Sequence, residues 1–205
     1  WAKASGFDAK ADVTALFGTA ANDVWVATGG ATATLHHWNG TTWSAFATEV
    51  PRINAFWGRE AGNLWAGGGD GTASSGWGRM AALLHWDGTK WVRRASPGRN
   101  PILSGWPDPN EGFLMGDSSG TGLMRSNSHG WYDGRETATS GPVWGSGAND
   151  VWAEAGALHY GTDAWTFPTP GLFGGQGGLA FGVGFGSNDA WFSRGLNVGN
   201  ETLLH

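Results

Sequence analysis

Ala21-Asn22-Asp23-Val24-Trp25 is repeated without change at Ala148-Asn149-Asp150-Val151-Trp152. Weaker copies stand at Ala61-Gly62-Asn63-Leu64-Trp65, Ser187-Asn188-Asp189-Ala190-Trp191 and Asn110-Glu111-Gly112-Phe113-Leu114. With Trp25, Trp65, Leu114, Trp152 and Trp191 taken as one position, the spacings are 40, 49, 38 and 39 residues. A period of that size is the mark of a solenoid, a propeller or an array.

The repeat extends well beyond five residues. Seven places before each anchor stands Gly18, Gly58, Pro107, Gly145 or Gly184. One place earlier stands Phe17, Trp57, Trp106, Trp144 or Val183. After each anchor comes an apolar pair and a basic residue, closing on His37, His85, Arg125, His159 or His205. Six residues later stands Trp43, Trp91, Trp131 or Trp165. Each unit therefore reads as four short strands. The first is Val13–Phe17 or Ile53–Trp57, the second Val24–Ala27 or Leu64–Gly67, and the third ends in His-Trp. The fourth opens at Thr42-Trp43 or Lys90-Trp91. Asn39-Gly40 and Asp87-Gly88 suit the two central places of a tight hairpin, where positive φ is required. That turn sets Trp38 opposite Thr41 and His36 opposite Trp43. Four strands in about 40 residues define a β-propeller blade.

The expected fold is all-β: one five-bladed β-propeller over residues 1–205, with four antiparallel strands per blade. The blades fall at about 13–46, 53–94, 102–132, 142–167 and 179–205. The chain ends on a third strand, Leu203-Leu204-His205, and opens on Trp1-Ala2-Lys3-Ala4-Ser5, which matches the fourth strand Trp91-Val92-Arg93-Arg94-Ala95-Ser96. The N-terminal strand, residues 1–5, is thus expected to pair into the last blade and close the ring, removing an open sheet edge. A start at Trp1 in place of Met points to a processed product or a fragment.

Composition narrows the function. The chain has 205 residues, 15 Trp, 37 Gly, no Cys and a net charge of −5. Without Cys there is no disulfide and no thiolate metal site. Lys occurs only at positions 3, 10 and 90, so no clustered basic face for nucleic-acid phosphates is expected. No apolar run reaches the length of a transmembrane helix, so no membrane insertion is expected. Most of the Trp residues are read as filling between wedge-shaped blades.

The candidate chemical groups recur with the repeat. His37, His85 and His159, like Trp25, Trp65, Trp152 and Trp191, are expected to be structural. A position repeated around a ring lies on separate spokes and cannot converge on one metal, so neither metal nor cofactor is expected. Asp23, Asp87, Asp150 and Asp189 are read as turn residues. Asp12, Glu49 and Glu136 lie nearest the innermost strands, and the sequence does not show among them a paired acid and base at the separation a glycosidase needs. The Gly-rich stretches sit between strands and not ahead of a helix, so they are no phosphate loop. The insertion Gly67–Met80 and the linkers between blades should emerge on one face. Trp77, Arg52, Arg99 and Arg135 are the candidate ligand contacts there.

At Leu35–Trp43 and Leu83–Trp91 the unit resembles the repeats of Trp-rich bacterial propellers, as does Ser146–Trp152. The piece His-x-Trp-(Asn/Asp)-Gly-Thr-x-Trp also resembles repeats of propeller lectins of the five-bladed tachylectin type. That resemblance implies sugar binding at several equivalent pockets. The expected function is a non-catalytic, lectin-like, carbohydrate-binding module. The alternatives are a protein-protein interaction platform or structural propeller, and, third, a glycoside hydrolase. The partner is accordingly a glycan or a protein surface. Compartment and oligomeric state are left open, with a secreted or cell-surface bacterial place favoured.

Overall fold

In the structure, a computed structural model, the described residues are 6–7, 11–69, 81–96, 100–107, 113–117, 123–127, 130–133, 143–147, 150–153, 158–161, 165–166, 179–186, 189–194 and 202–204. All regular structure among them is β-strand. The chain divides into two compact units, Trp1–Ile102 and Leu103–His205.

The first unit holds two four-stranded antiparallel sheets. One is β1 (Val13–Ala20), β2 (Asp23–Thr28), β3 (Thr34–Trp38) and β4 (Trp43–Ala47), in that order. The other is β5 (Ile53–Glu60), β6 (Asn63–Gly69), β7 (Ala81–Trp86) and β8 (Trp91–Arg94), again in chain order. A third meander begins with the last residue of this unit: β9 (Ile102–Pro107), β10 (Phe113–Asp117), β11 (Leu123–Asn127) and β12 (Gly130–Asp133). The second unit also contains β13 (Trp144–Gly147), β14 (Asp150–Ala153), β15 (Leu158–Tyr160) and β16 (Trp165–Thr166). Its last sheet among the described residues has three strands, β17 (Leu179–Gly186), β18 (Asp189–Arg194) and β19 (Thr202–Leu204). The expected pairing of Trp1–Ser5 lies outside the described residues.

The register repeats as faithfully as the sequence. Phe17 faces Trp25, Trp57 faces Trp65, Trp144 faces Trp152 and Val183 faces Trp191. Each of these pairs is followed by the same irregularity, between Gly18 and Ala20, Gly58 and Glu60, Gly145 and Gly147, and Gly184 and Gly186. A bulge there gives one strand an extra residue and turns the chain sharply into the next strand. Glycine fits the place because the partner strand runs so near. A Cβ on Gly58 would sit 2.7 Å from the Asn63 carbonyl oxygen.

The third and fourth strands pair differently from the sequence expectation. Trp38 faces Trp43, not Thr41, and His36 faces Ala45, not Trp43. The turn spans four residues, with Asn39 N–H donating to the Thr42 carbonyl at 3.2 Å. Asn39 occupies the corner and its Oδ1 accepts from Thr41 N–H at 3.0 Å and Thr42 N–H at 2.9 Å. Gly40, with φ +94°, takes the first central place. Asp87 does the same in the next sheet, accepting from Thr89 and Lys90, so Trp86 faces Trp91. The error came from placing Asn39 at the centre of the turn. Its side chain satisfies more backbone donors from the corner.

Within the first unit the two sheets pack face to face. Trp25, Ala27, Leu35 and Phe46 from the first meet Phe56, Leu64, Ala66, Leu84, Trp86 and Trp91 from the second. Ring centroids of Trp25 lie 4.9 Å from Trp86 and 5.2 Å from Trp91, both edge to face. Phe46 meets Trp86 at 5.2 Å in the same manner. Two sheet faces rich in indoles thus interdigitate, each buried ring removing roughly 150–250 Å² from water.

Candidate functional site: a repeated hydroxyl, carboxylate, imidazole and indole network

The bulge delivers a side chain to the start of the second strand. In the first sheet the Thr19 hydroxyl donates to Asp23 Oδ2, and His37 Nε2 lies 2.7 Å from Asp23 Oδ1. An ionised carboxylate only accepts, so Nε2 carries the proton. The Trp25 ring lies flat on His37, with centroids 4.2 Å apart and planes 12° apart. The register makes this arrangement: Trp25 faces His37 across the ladder.

The fourth sheet rebuilds the network with a different hydroxyl. Ser146 donates to Asp150 Oδ2, His159 Nε2 lies 2.9 Å from Asp150 Oδ1, and Trp152 Nε1 donates to Asp150 Oδ1 at 3.0 Å. Trp152 stacks on His159 at 4.1 Å. In the second sheet Asn63 replaces the carboxylate, accepting from His85 Nε2 at 2.8 Å, and Trp65 lies 4.3 Å from His85. In the last sheet Trp191 Nε1 donates to Asp189 Oδ1 at 3.0 Å. So the repeated Trp and His residues are brought together in pairs in the first, second and fourth sheets.

Asp23 and Asp150 are 8 % and 5 % exposed, which makes their partners necessary. For Asp150, burial pushes the carboxyl pKa up. Hydrogen bonds from Ser146, His159 and Trp152, with the charge of His159, outweigh that and hold it below the usual value. His36 on the opposite face of β3 is lowered by burial, and its Nε2 lies 3.2 Å from the Thr28 hydroxyl. His85 is lowered first by burial and next by the Arg94 charge, with Asp87 opposing. Asp87 is held at about 2, chiefly by the Thr89 hydroxyl and then by the Lys90 and Thr89 N–H groups.

Chemically the order is hydroxyl, carboxylate, imidazole. The carboxylate sits in the middle, and each hydroxyl donates to it. A nucleophilic relay needs the imidazole on the hydroxyl. The sequence reading placed the Asp and His residues but missed Thr19 and Ser146. Their signal was available: both follow the repeated glycine, Gly18 or Gly145, by one place.

The other candidates are dispersed. Arg52 is exposed, its Nε donates to Asn54 Oδ1 at 3.0 Å, and its carbonyl accepts from Gly69 N–H. Asp12 and Glu49 are exposed. Trp77, Arg99, Arg135 and Glu136 lie outside the described residues. Among the described residues, no group of three or more His, Asp or Glu side chains could hold a metal ion. No described helix is long and apolar enough to cross a membrane.

No family model matches the chain, and no curated protein matches its sequence. Solved structures do match. The WD40 β-propeller domain of Doa1 is similar over 97 % of this chain and 66 % of its own length, at 14 % identity and a TM-score of 0.60. Virginiamycin B lyase from Staphylococcus aureus is similar over 94 % of this chain and 69 % of its own, at 14 % identity and 0.61. YCF48 bound to D1 peptide is similar over 89 % and 60 %, at 12 % identity and 0.56. The chain thus spans about two thirds of the first of these and less of the last. At such identities the likeness is one of fold: the chain is an all-β protein with the architecture of the β-propellers. A fold of that kind carries both binding proteins and enzymes and does not choose between them.

Proposed function

We propose that this chain is a non-catalytic propeller that serves as a platform for protein partners. The observation that carries this reading is where the repeat spends its chemical groups. Trp25 and Trp152 are 0 % and 9 % exposed and lie against imidazoles. Rings so placed offer no free face for a sugar to stack on; Trp191, at the same position of the repeat, is 37 % exposed, so the anchors do not form a set of equivalent glycan pockets. In each network the imidazole bonds the carboxylate and not the hydroxyl, and the carboxylate already accepts from two or three donors, so no relay from imidazole to hydroxyl is built. YCF48, a structural neighbour, is bound to a peptide.

The same proposal takes the five described sheets as five blades of one closed domain. Two facts support it. The last sheet has three described strands where the others have four. Trp1-Ala2-Lys3-Ala4-Ser5 carries the sequence of a fourth strand. A small propeller of this kind would present loops and outer strand edges to its partners.

Panning a random peptide display library over the protein, with a glycan array in parallel, separates the two classes. The platform reading predicts enrichment of related peptides and a flat glycan response. Saturable sugar binding with no peptide enrichment would overturn it.

A further inference from the structure

The outer strands of the first two sheets occupy the same place and differ in charge. β4 is Trp43-Ser44-Ala45-Phe46-Ala47 and has no ionisable side chain. β8 is Trp91-Val92-Arg93-Arg94, preceded by Lys90. Three of the chain's 12 Lys and Arg residues therefore fall within five positions on one sheet edge. Lys90, Arg93 and Arg94 are all exposed. Cations on an edge strand can simply discourage sheet-to-sheet aggregation. If that were their whole purpose, β4 would face the same hazard without protection.

The local carboxylate, Asp87, can offset only one of the three cations, and the Thr89 hydroxyl, the hairpin N–H groups and then the Lys90 charge hold it ionised. Asp87 Oδ1 is engaged by the Thr89 hydroxyl and N–H and by the Lys90 N–H at the hairpin. Residues 1–102 hold nine Lys or Arg and seven Asp or Glu, a balance of +2. Residues 103–205 hold three and ten, a balance of −7, and the two sum to the chain's −5. The cationic edge is thus a local feature of an otherwise acidic chain.

The backbone of β8 is also suited to accept a strand. It ends its sheet, so one side of its ladder is unpaired among the described residues. Asp87 and Lys90 form a hydrogen-bonded pair at the turn. Antiparallel pairs alternate, so His85 with Val92 and Leu83 with Arg94 are bonded pairs. The N–H and C=O groups of Trp91 and Arg93 then point away from β7, toward the open edge. Side chains of Arg93 and Arg94 leave on opposite faces of the sheet.

We propose that β8 is a docking edge for an extended acidic peptide, which adds as a further strand with consecutive carboxylates beside Arg93 and Arg94. The proposal deepens the platform reading and rests on it. Main-chain bonds to Trp91 and Arg93 supply the ladder, and the two guanidinium groups supply the preference for acid. A ladder of so few bonds binds weakly and relies on charge, so binding should weaken with salt.

The test is fluorescence polarisation of a labelled peptide, Gly-Thr-Val-Thr-Glu-Asp-Val-Thr-Gly, against the full chain. Three controls accompany it: the same peptide with Lys-Lys for Glu-Asp, the same charge with Pro for both Val residues, and heparin as a non-peptide polyanion. The account predicts saturable binding of the acidic peptide, at least about tenfold weaker in R93E/R94E and at least about tenfold weaker for the Pro peptide. The R93K/R94K variant should retain most of the binding, which separates charge from a folding defect. Equal binding of the Pro peptide would overturn strand addition, since charge alone would then suffice. Heparin competing as well as the acidic peptide would overturn the peptide assignment. Unchanged binding in R93E/R94E would remove β8 while leaving a platform elsewhere on the chain intact. Absence of binding by any acidic peptide, with display-selected peptides still bound, would likewise sink the edge and not the platform.

Discussion

His159 Nε2 and Asp150 Oδ1 lie 2.9 Å apart, with the imidazole stacked on Trp152 and the carboxylate almost fully buried. Neither partner is comfortable without the other. Removing the imidazole leaves a buried carboxylate short of one donor, and removing the carboxylate leaves Ser146, Trp152 and His159 donors without their acceptor. His159→Ala is expected to lower unfolding free energy by about 1–3 kcal/mol, and Asp150→Ala by at least as much. Asp150→Asn, which keeps an acceptor, should cost less. Urea unfolding of the three variants checks the order; equal stability of all three with the parent would contradict a structural role.

Acid should act on this fold in two stages. His36 and His85 have folded pKa values below the ordinary imidazole value. Between the folded and unfolded values the unfolded state binds more protons, so their contribution favours the fold at neutral pH and is lost as pH falls below about 6.5. Asp150, also lowered, contributes stability that is present above its unfolded value and lost as pH falls through its folded value. Melting temperature should therefore decline from pH 7 to pH 5 and fall further below pH 4. His85→Gln should flatten the upper part of that decline. A melting temperature rising between pH 7 and pH 5 would contradict this.

Two glycines separate close approach from mere turn preference. A Cβ on Gly68 would collide with the Arg52 carbonyl, whereas one on Gly62 would meet nothing within 4 Å. Gly68→Ala should be severely destabilising, by more than about 3 kcal/mol, and Gly62→Ala should fall within about 0.5 kcal/mol of the parent. Thermal unfolding of the pair measures the difference.

The repeat made most of the scaffold legible before any coordinates. Trp25, Trp65, Trp152 and Trp191 marked the second strand of four sheets, and in three of them the indole meets an imidazole across the ladder. The hairpins were misread by one corner, since Asn39 and Asp87 do more from the first turn position than from its centre. Thr19 and Ser146 were missed because different hydroxyl residues fill one place; the repeated glycine before each, Gly18 or Gly145, was the trace the bulge left in sequence. Arg93 and Arg94 were read only as a match to the N-terminal strand. The repeat already puts them on the fourth strand of their sheet, but that both side chains are exposed there is a result of packing, which periodicity does not supply.

The proposed pairing of residues 1–5 into the last sheet makes a distinct prediction. Deleting residues 1–5 should lower the melting temperature and promote self-association, because a sheet edge would be left open. Adding the synthetic peptide Trp-Ala-Lys-Ala-Ser in excess should restore part of the lost stability by mass action. A deletion variant as stable and monodisperse as the parent would remove the closing strand from the account.

The central claim is that the carboxylate and imidazole pairs hold sheets together and bind nothing themselves. The most direct measurement pairs stability with binding in Asp23→Asn/Asp150→Asn, using a display-selected peptide well below the melting point of the variant. The account predicts a lowered melting temperature with peptide affinity within about twofold of the parent, since additivity holds for sites without shared partners. An unchanged melting temperature with peptide binding lost would show the network to be the binding site and contradict the account.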